Sequence, residues 1–237
     1  MSEFLRESLE SIGLEPSTEL VDKLNKYYEL LVEKNKVMNL TAITEYEDVV
    51  IKHFVDSILI SQVFDMDKIN SIIDVGTGAG FPGMVLKVFY PEKNITLLDS
   101  LNKRINFLKD VGNELGADKL YCEHGRAEDF ARKEGKREGF DLCVSRAVAN
   151  LSTLAEYCLP FVKKEGYFVA YKAEDCKEEV KAAENAVKKL GGVIYDTVLY
   201  KIPNTDITRA FVIIKKVANT SKKYPRKAGL PSKEPMT

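Results

Sequence analysis

The chain has 237 residues, a net charge of −1 from 35 Lys+Arg against 36 Asp+Glu, and 45% hydrophobic residues; this is a globular composition that excludes disorder throughout. At roughly 150 residues per domain, the length fits one large domain with a small accessory piece, able to bury a core without disulfide or metal staples. Apolar runs such as 49–51 and 168–171 are far too short to span a membrane, and the start, Met-Ser-Glu-Phe-Leu-Arg-Glu, lacks the basic-then-apolar order of a signal peptide, so a cytoplasmic location without membrane contact is expected.

Residues 1–66 read as a helical extension. Leu20, Leu24, Tyr27 or Tyr28, and Leu31 recur at helical spacing, and Ser17 and Thr18 after Pro16 supply a helix start. Val50, Phe54 and Ile58 repeat every four residues in a later helix. The turn between them holds Asn35, Asn39 and Thr41, whose side chains bond local backbone.

Residues 67–217 alternate strands with helices. Strands are expected at Ser71–Val75, Asn94–Leu98, Lys119–Cys122, Phe140–Ser145 and Tyr167–Tyr171. Between them, Leu101, Ile105, Leu108 and Leu115 line one helix face, and Val180, Ala183, Val187 and Leu190 another. This order predicts an α/β fold with a parallel sheet covered on both sides. Val193–Tyr200 and Ala210–Val217, with only a loop between them, form a hairpin, so the last strand runs antiparallel near the sheet edge. Cys122, Cys143, Cys158 and Cys176 contain no CxxC pair and read as free thiols; no metal site is expected.

Residues 218–237 form a polar tail with Pro225, Pro231 and Pro235. Residues 215–237 hold seven Lys or Arg against Glu234 alone, a charge of +6, which leaves −7 on residues 1–214. A basic end on an acidic body suggests a polyanion partner met at one edge; the alternative is a solvated basic end.

The sharpest motif is Asp74-Val75-Gly76-Thr77-Gly78-Ala79-Gly80-Phe81-Pro82-Gly83, which leaves a strand and enters a helix. Its glycines allow a tight turn and close approach to a ligand at the carboxyl edge of the sheet. Phe81 breaks the dinucleotide pattern, and the Gly-Lys-Ser/Thr of a P-loop is absent. With no Lys or Arg in 74–86 and with Asp74 before the turn, a pyrophosphate is a poor guest and a cation or zwitterion a better one. Asp99 ends the next strand, where an acid accepts ribose hydroxyls. Arg126-Ala127-Glu128 follows the third strand and Ser145-Arg146-Ala147 ends the fourth. Four strand ends in order read as a site for an adenosine bearing an amino acid, which describes S-adenosylmethionine. Plainer readings are that Asp99 caps the helix near Leu101, that Asp74 holds the loop through backbone amides, and that Arg126 and Glu128 form a surface pair.

At these residues the chain resembles class I S-adenosylmethionine-dependent methyltransferases, and more narrowly the bacterial 16S ribosomal RNA guanine-N7 methyltransferases of the glucose-inhibited division protein B family. The resemblance rests on Asn39-Leu40-Thr41-Ala42-Ile43, His53-Phe54-Val55-Asp56-Ser57, Asp74–Gly83, Leu98-Asp99-Ser100, Arg126-Ala127-Glu128, Ser145-Arg146-Ala147, Lys172 and Tyr224-Pro225-Arg226-Lys227-Ala228-Gly229. It implies a Rossmann-like sheet, mostly parallel with one antiparallel strand. It also implies methyl transfer from S-adenosylmethionine to N7 of a guanine in the 530 loop of 16S rRNA; the expected partner is 16S rRNA, free or in the 30S subunit, and a monomer is expected. The family pattern puts Gly76, Phe81, Asp99, Ala127, Glu128 and Arg146 at the cofactor; Asp74, Gly78, Gly80, Ser100 and Leu101 complete the expected set. Arg146 and Lys172 would position the substrate, and Arg209, Arg226 and Lys227 would contact RNA.

The chemistry fits. Guanine N7 has a lone pair and no proton to lose, so alignment and water exclusion are the main tasks and no general base is required. His53 reads better as a structural hydrogen bond than as a base, and His124 has no clear partner. Cytosine C5 methylation needs a thiolate nucleophile, and neither Cys143 nor Cys158 has the Pro-Cys setting of that group. Enzymes acting on exocyclic amines resemble Asp/Asn-Pro-Pro-aromatic where Ser145-Arg146-Ala147 stands. Rivals are a small-molecule or protein methyltransferase and a non-catalytic RNA-binding module, with a dehydrogenase last.

Overall fold

Two helices, α1 (Ser2–Glu10) and α2 (Thr18–Met38), open the chain. Ser17 Oγ accepts from the Leu20 amide at 3.1 Å and caps α2 where a start was expected. Asn35 sits in the last turn of α2 rather than in the turn beyond it. Its Oδ1 still accepts from the Leu40 and Thr41 amides at 2.6 and 2.9 Å, so it shapes that turn from the helix side. The next segment is wound unevenly: α3 (Tyr46–Val49), a π-helical stretch Val50–Val55, α4 (Asp56–Ile58) and α5 (Ile60–Val63). Val50, Phe54 and Ile58 are all buried. The computed structural model describes residues 1–146 and 149–236; Ala147, at the end of the Ser145-Arg146-Ala147 motif, lies outside the described residues.

Strands and helices then alternate: β1 (Ser71–Val75), α6 (Gly83–Phe89), β2 (Asn94–Asp99), α7 (Asn102–Glu114), β3 (Leu120–His124), α8 (Ala127–Phe130), β4 (Phe140–Arg146), α9 (Leu151–Cys158), β5 (Val162–Ala173), α10 (Lys177–Lys189), β6 (Gly192–Lys201), β7 (Thr208–Lys216) and α11 (Leu230–Lys233). The sheet order is β3-β2-β1-β4-β5-β7-β6. β1 to β5 pair in parallel, while β7 runs antiparallel to both β5 and β6. The hairpin therefore forms as expected, with β7 inserted between β5 and the edge strand β6. β5 begins five residues before the expected Tyr167, because Lys163-Lys164-Glu165 reads as loop by charge yet joins the strand through a register shift opposite β4.

The sheet separates two cores. On one face Leu5, Leu24, Tyr27 and Phe54 from the first 66 residues pack with Leu86 and Leu108 against Ile72, Leu97 and Phe211. On the other, Leu154, Val187 and Leu190 pack against Ile73, Cys143 and Phe168. The helical extension thus shares the core of the sheet. The expected face of α7 is shifted at its ends. Leu101 is its N-cap and is 43% exposed, while Phe107 and Val111 fill the interior beside Ile105 and Leu108. No helix of the described residues is long and apolar enough to cross a membrane.

The tail is not a solvated appendage. Lys216 is fully buried, its Nζ donating to the Leu159 and Val162 carbonyls at 2.7 and 3.0 Å, and Lys215 pairs with Glu165 at 2.8 Å. Arg137 donates to the carbonyls of Thr220, Ser221 and Tyr224, and Arg132 to that of Pro225. The cationic surface of the tail is left to Lys222, Lys223, Lys227 and Lys233, all exposed.

Candidate active site

The strand order reverses between β1 and β4, and ligands of doubly wound sheets bind outside the carboxyl ends at such a point. There the glycine turn is tied to β2: the Gly76 and Thr77 amides donate to Leu98 O at 2.8 and 3.1 Å. Asp74 lies beneath the turn, fully buried, and its Oδ2 accepts from Thr77 Oγ1 at 2.6 Å and from the Gly83 amide at 2.8 Å. Burial lifts its carboxyl to about 6, against the pull of these two bonds. Asp74 therefore staples the loop and does not line the cleft, because its short side chain is spent inside the turn. Gly80 is likewise a packing residue. A Cβ there would meet Tyr27 Oη, Leu108 Cδ2 and Met84 Cβ, all under 3.0 Å, at a φ of +108°. Gly78 is the opposite case: a Cβ would meet nothing within 4 Å, so its backbone borders open space.

That space has two lobes. One, of about 400 Å³, is lined by Leu40, Thr41, His53, Gly76, Thr77, Gly78, Ala79, Phe81, Arg104 and Arg146. The other, of about 270 Å³, is lined by Val75, Leu98, Gly125, Arg126, Ala127, Glu128, Tyr157, Gly229 and Ser232. Gly76, Asp99 and Ser100 belong to both. Asp99 stands at the junction, 3% exposed. Its Oδ2 accepts from the Gly78 amide at 2.9 Å and its Oδ1 from the Leu101 amide at 2.8 Å, with Arg104 at 3.3 Å. Capping and junction roles thus coexist in one carboxylate. Leu101 offers its amide to Asp99 and its side chain to solvent, so the expected contact from that side chain is absent from both linings.

A chain of charges backs the first lobe. Asp56, fully buried, accepts from Arg146 Nη1 at 2.6 Å through Oδ2 and from Arg209 Nε through Oδ1. Arg146 Nη1 also donates to Lys52 O at 3.0 Å, and Nη2 lies 3.2 Å from His53 Nδ1. Nδ1 also lies 3.1 Å from Lys52 O, and Nε2 lies 3.0 Å from Thr41 Oγ1, so the imidazole is held at both ring nitrogens. His53 also stacks on Phe81, with ring centroids 4.3 Å apart, and the Arg146 guanidinium lies over the same ring at 5.3 Å. Burial and then the Arg146 charge push His53 down to about 4. His53 is thus neutral over the working range of pH and is expected to contribute no ionisation to kcat between about pH 6 and 8. A kinetic ionisation near pH 6.5 that disappears in His53→Gln would contradict this.

Arg146 and His53 also border a second cavity, of about 410 Å³, with Ile43, Lys52, Tyr171, Lys172 and Arg209. Lys172 Nζ is held by Glu179 at 2.6 Å and by Ala149 O at 2.8 Å. Arg146, Lys172 and Arg209 thus meet at one edge, as expected. Arg226 does not join them. Glu156, buried in α9, accepts from its Nε and Nη2 at 2.7 to 3.0 Å, so its guanidinium is committed inside the fold. A larger cleft of about 500 Å³ beside α1 carries Glu7, Glu47, Asp48 and Asp206, a poor surface for a polyanion.

An amino acid bearing an adenosine fits this donor set. The carboxylate Asp99 lies at the junction of a lobe with two guanidiniums and a smaller lobe between Leu98 and Ala127, and the Gly78 backbone leaves room for close approach. Arg104, Thr41, Asp56, Gly229 and Ser232 were not among the expected site residues. Thr41 and Asp56 fall in the Asn39–Ile43 and His53–Ser57 motifs, which were the available signal for them.

A family model described as rRNA small subunit methyltransferase G matches residues 20–208. Proteins named ribosomal RNA small subunit methyltransferase G include one from Lachnoclostridium phytofermentans, 48% identical over 97% of this chain and 95% of its own. Another, from Alkaliphilus oremlandii, is 47% identical over 100% and 99%. Among solved structures, MtNAS superposes with a TM-score of 0.54 at 15% identity, covering 84% of this chain and 75% of that one. A Pyrococcus horikoshii protein assigned as an RNA methyltransferase gives 0.50 at 14% identity, covering 69% and 84%. These two likenesses concern the fold.

Proposed function

Because the chain belongs to the ribosomal RNA small subunit methyltransferase G family, we propose that it transfers the methyl group of S-adenosylmethionine to N7 of a guanine in the 530 loop of 16S rRNA. The observation that carries this reading is the pair of adjoining cavities, one fit for the cofactor and one cationic, that share His53 and Arg146. The cofactor, when bound, supplies a methyl group on a sulfonium already activated for displacement. Gly76, Gly78, Phe81, Asp99, Ser100, Ala127 and Glu128 hold it: Asp99 retains acceptor capacity for ribose hydroxyls, and Arg146 suits the amino-acid carboxylate.

The chain's other task is to present a neutral ring nitrogen in line and to keep water out. Neutral His53 and Phe81 form a stacked wall between the cavities, with no base near a proton that would need removing. Arg209 and Lys172, both restrained by buried or partly buried acids, present fixed donors to guanine O6 or to a flanking phosphate. Lys227 and its exposed neighbours in the tail add phosphate contacts whose strength falls with salt. The reading includes a monomer acting in the cytoplasm on the 30S particle or on free rRNA.

The test uses labelled-methyl S-adenosylmethionine with 30S subunits, and separately with deproteinised 16S rRNA, both lacking the modification. Strand cleavage specific for N7-methylguanine is expected at a single position in the 530 loop. Cofactor binding without incorporation into either RNA would contradict the assignment.

A further inference from the structure

The most distinctive stretch of the tail, Tyr224–Gly229, does not reach toward the cationic cavity. It runs along α9 to the base-sized lobe. Arg226 is clasped by Glu156 through its backbone amide at 2.7 Å as well as through its guanidinium, which also donates to Glu234 O at 2.8 Å. Three residues on, the Gly229 amide donates to Glu128 Oε1 at 2.8 Å, and Thr153 Oγ1 donates to Pro231 O at 3.0 Å. Gly229 and Ser232 then line the lobe opposite Ala127.

We propose that segment Tyr224–Lys233 is the outer wall of the lobe that takes the adenosine end of the cofactor, and that Arg226 is a positioning residue for that wall rather than an RNA contact. This rests on the reading of the cleft as an S-adenosylmethionine site. The physical argument is that Glu156 is a fully buried carboxylate whose guanidinium partner sits in the tail. Weakening that partner leaves a buried charge under-compensated, and the segment relaxes outward until water reaches it. Gly229 moves with it, and Glu128 loses the donor that holds it beside Ala127. The cofactor then loses one side of its pocket without any change at Arg146, Lys172 or Arg209.

Two variants test this with S-adenosylhomocysteine as the calorimetric probe and 30S subunits as the RNA substrate. In Arg226→Lys, which keeps the charge but not the planar fork, the Kd for S-adenosylhomocysteine is expected to rise about tenfold, as expected for one lost charged hydrogen bond. The KM for 30S should move less than about twofold. Ser232→Trp changes an exposed wall residue away from the ion pair, so it leaves the fold intact and should raise the same Kd by crowding the lobe. In the wild type, S-adenosylhomocysteine should also slow tryptic cleavage after Lys227. An unchanged Kd in both variants, or a raised KM for 30S with unchanged Kd in Arg226→Lys, overturns the proposal and returns Arg226 to RNA binding. A wild-type protein that does not bind S-adenosylhomocysteine would instead overturn the cofactor reading beneath it.

Discussion

Asp56→Ala is expected to lower the unfolding free energy by about 3–5 kcal/mol, the usual consequence of breaking a buried ion pair from one side. Asp56 is fully buried and accepts from two guanidiniums, those of Arg146 and Arg209, themselves mostly buried. Removing the carboxylate leaves two desolvated cations beside one another: Arg146 keeps its bond to the Lys52 carbonyl, and Arg209 loses the bond from its Nε. For a chain of this size each kcal/mol moves the thermal midpoint by roughly 2–4 °C, so a fall on the order of 10 °C should appear in thermal unfolding followed by circular dichroism. Asp56→Asn should lose less, since its amide oxygen still accepts from one arginine. The pair is sheltered from solvent, so added salt should change the difference little. A midpoint within about 2 °C of wild type for Asp56→Ala would show that the arginines find equivalent partners elsewhere.

Arg146→Met should reduce kcat/KM for the cofactor by at least about 10²-fold, since two charged hydrogen bonds of about 1.5–3 kcal/mol each are withdrawn and each 1.36 kcal/mol is a factor of ten. Methionine keeps the contact with the Phe81 ring, which separates loss of the guanidinium from loss of packing. Arg146→Lys should recover only part of the activity, because an ammonium cannot serve Asp56, Lys52 O and the cleft from one planar fork. The sharpest sign of the shared position is that the KM values for RNA and cofactor should both rise, as Arg146 borders both cavities. An effect on one substrate alone would mean that Arg146 belongs to a single site.

Local signals were legible in the sequence, and distant pairings were not. The β1 run of Ser71–Val75 and the Ser17 cap match the structure to the residue, because a short β-branched run closed by glycines and a helix cap are both decided within a few positions. The strand-end positions of Gly76, Phe81, Asp99, Ala127, Glu128 and Arg146 are fixed once those strands are placed, and in the structure these residues line one continuous cleft. The partner of Arg226 is Glu156, 70 residues away, and that of Arg209 is Asp56, 153 residues away. A count of charge along the tail treats such cations as free, whereas the fold neutralises several from inside. Asp74 and Gly80 illustrate the converse. Both sit in the sharpest motif of the chain, yet they serve the turn itself, since a loop that cradles a ligand must first be held in shape by residues facing away from it.

The π-helical stretch Val50–Val55 carries a consequence for how this segment tolerates change in length. A π turn accommodates one residue more than an α turn over a comparable hydrogen-bonded loop. Rewinding the same six residues as ordinary α-helix would rotate the residues on its N-terminal side by about 100° against those on its C-terminal side, whereas loss of one residue on rewinding would offset that rotation. After rewinding at full length, His53 could not face Phe81 while Asp56 faces Arg146, although every side-chain type in the motif would still be present. The π winding therefore sets the angular phase between the cofactor wall and the arginine clamp, so that a substitution that let the turn rewind at full length would upset that phase where a one-residue deletion with rewinding would keep it.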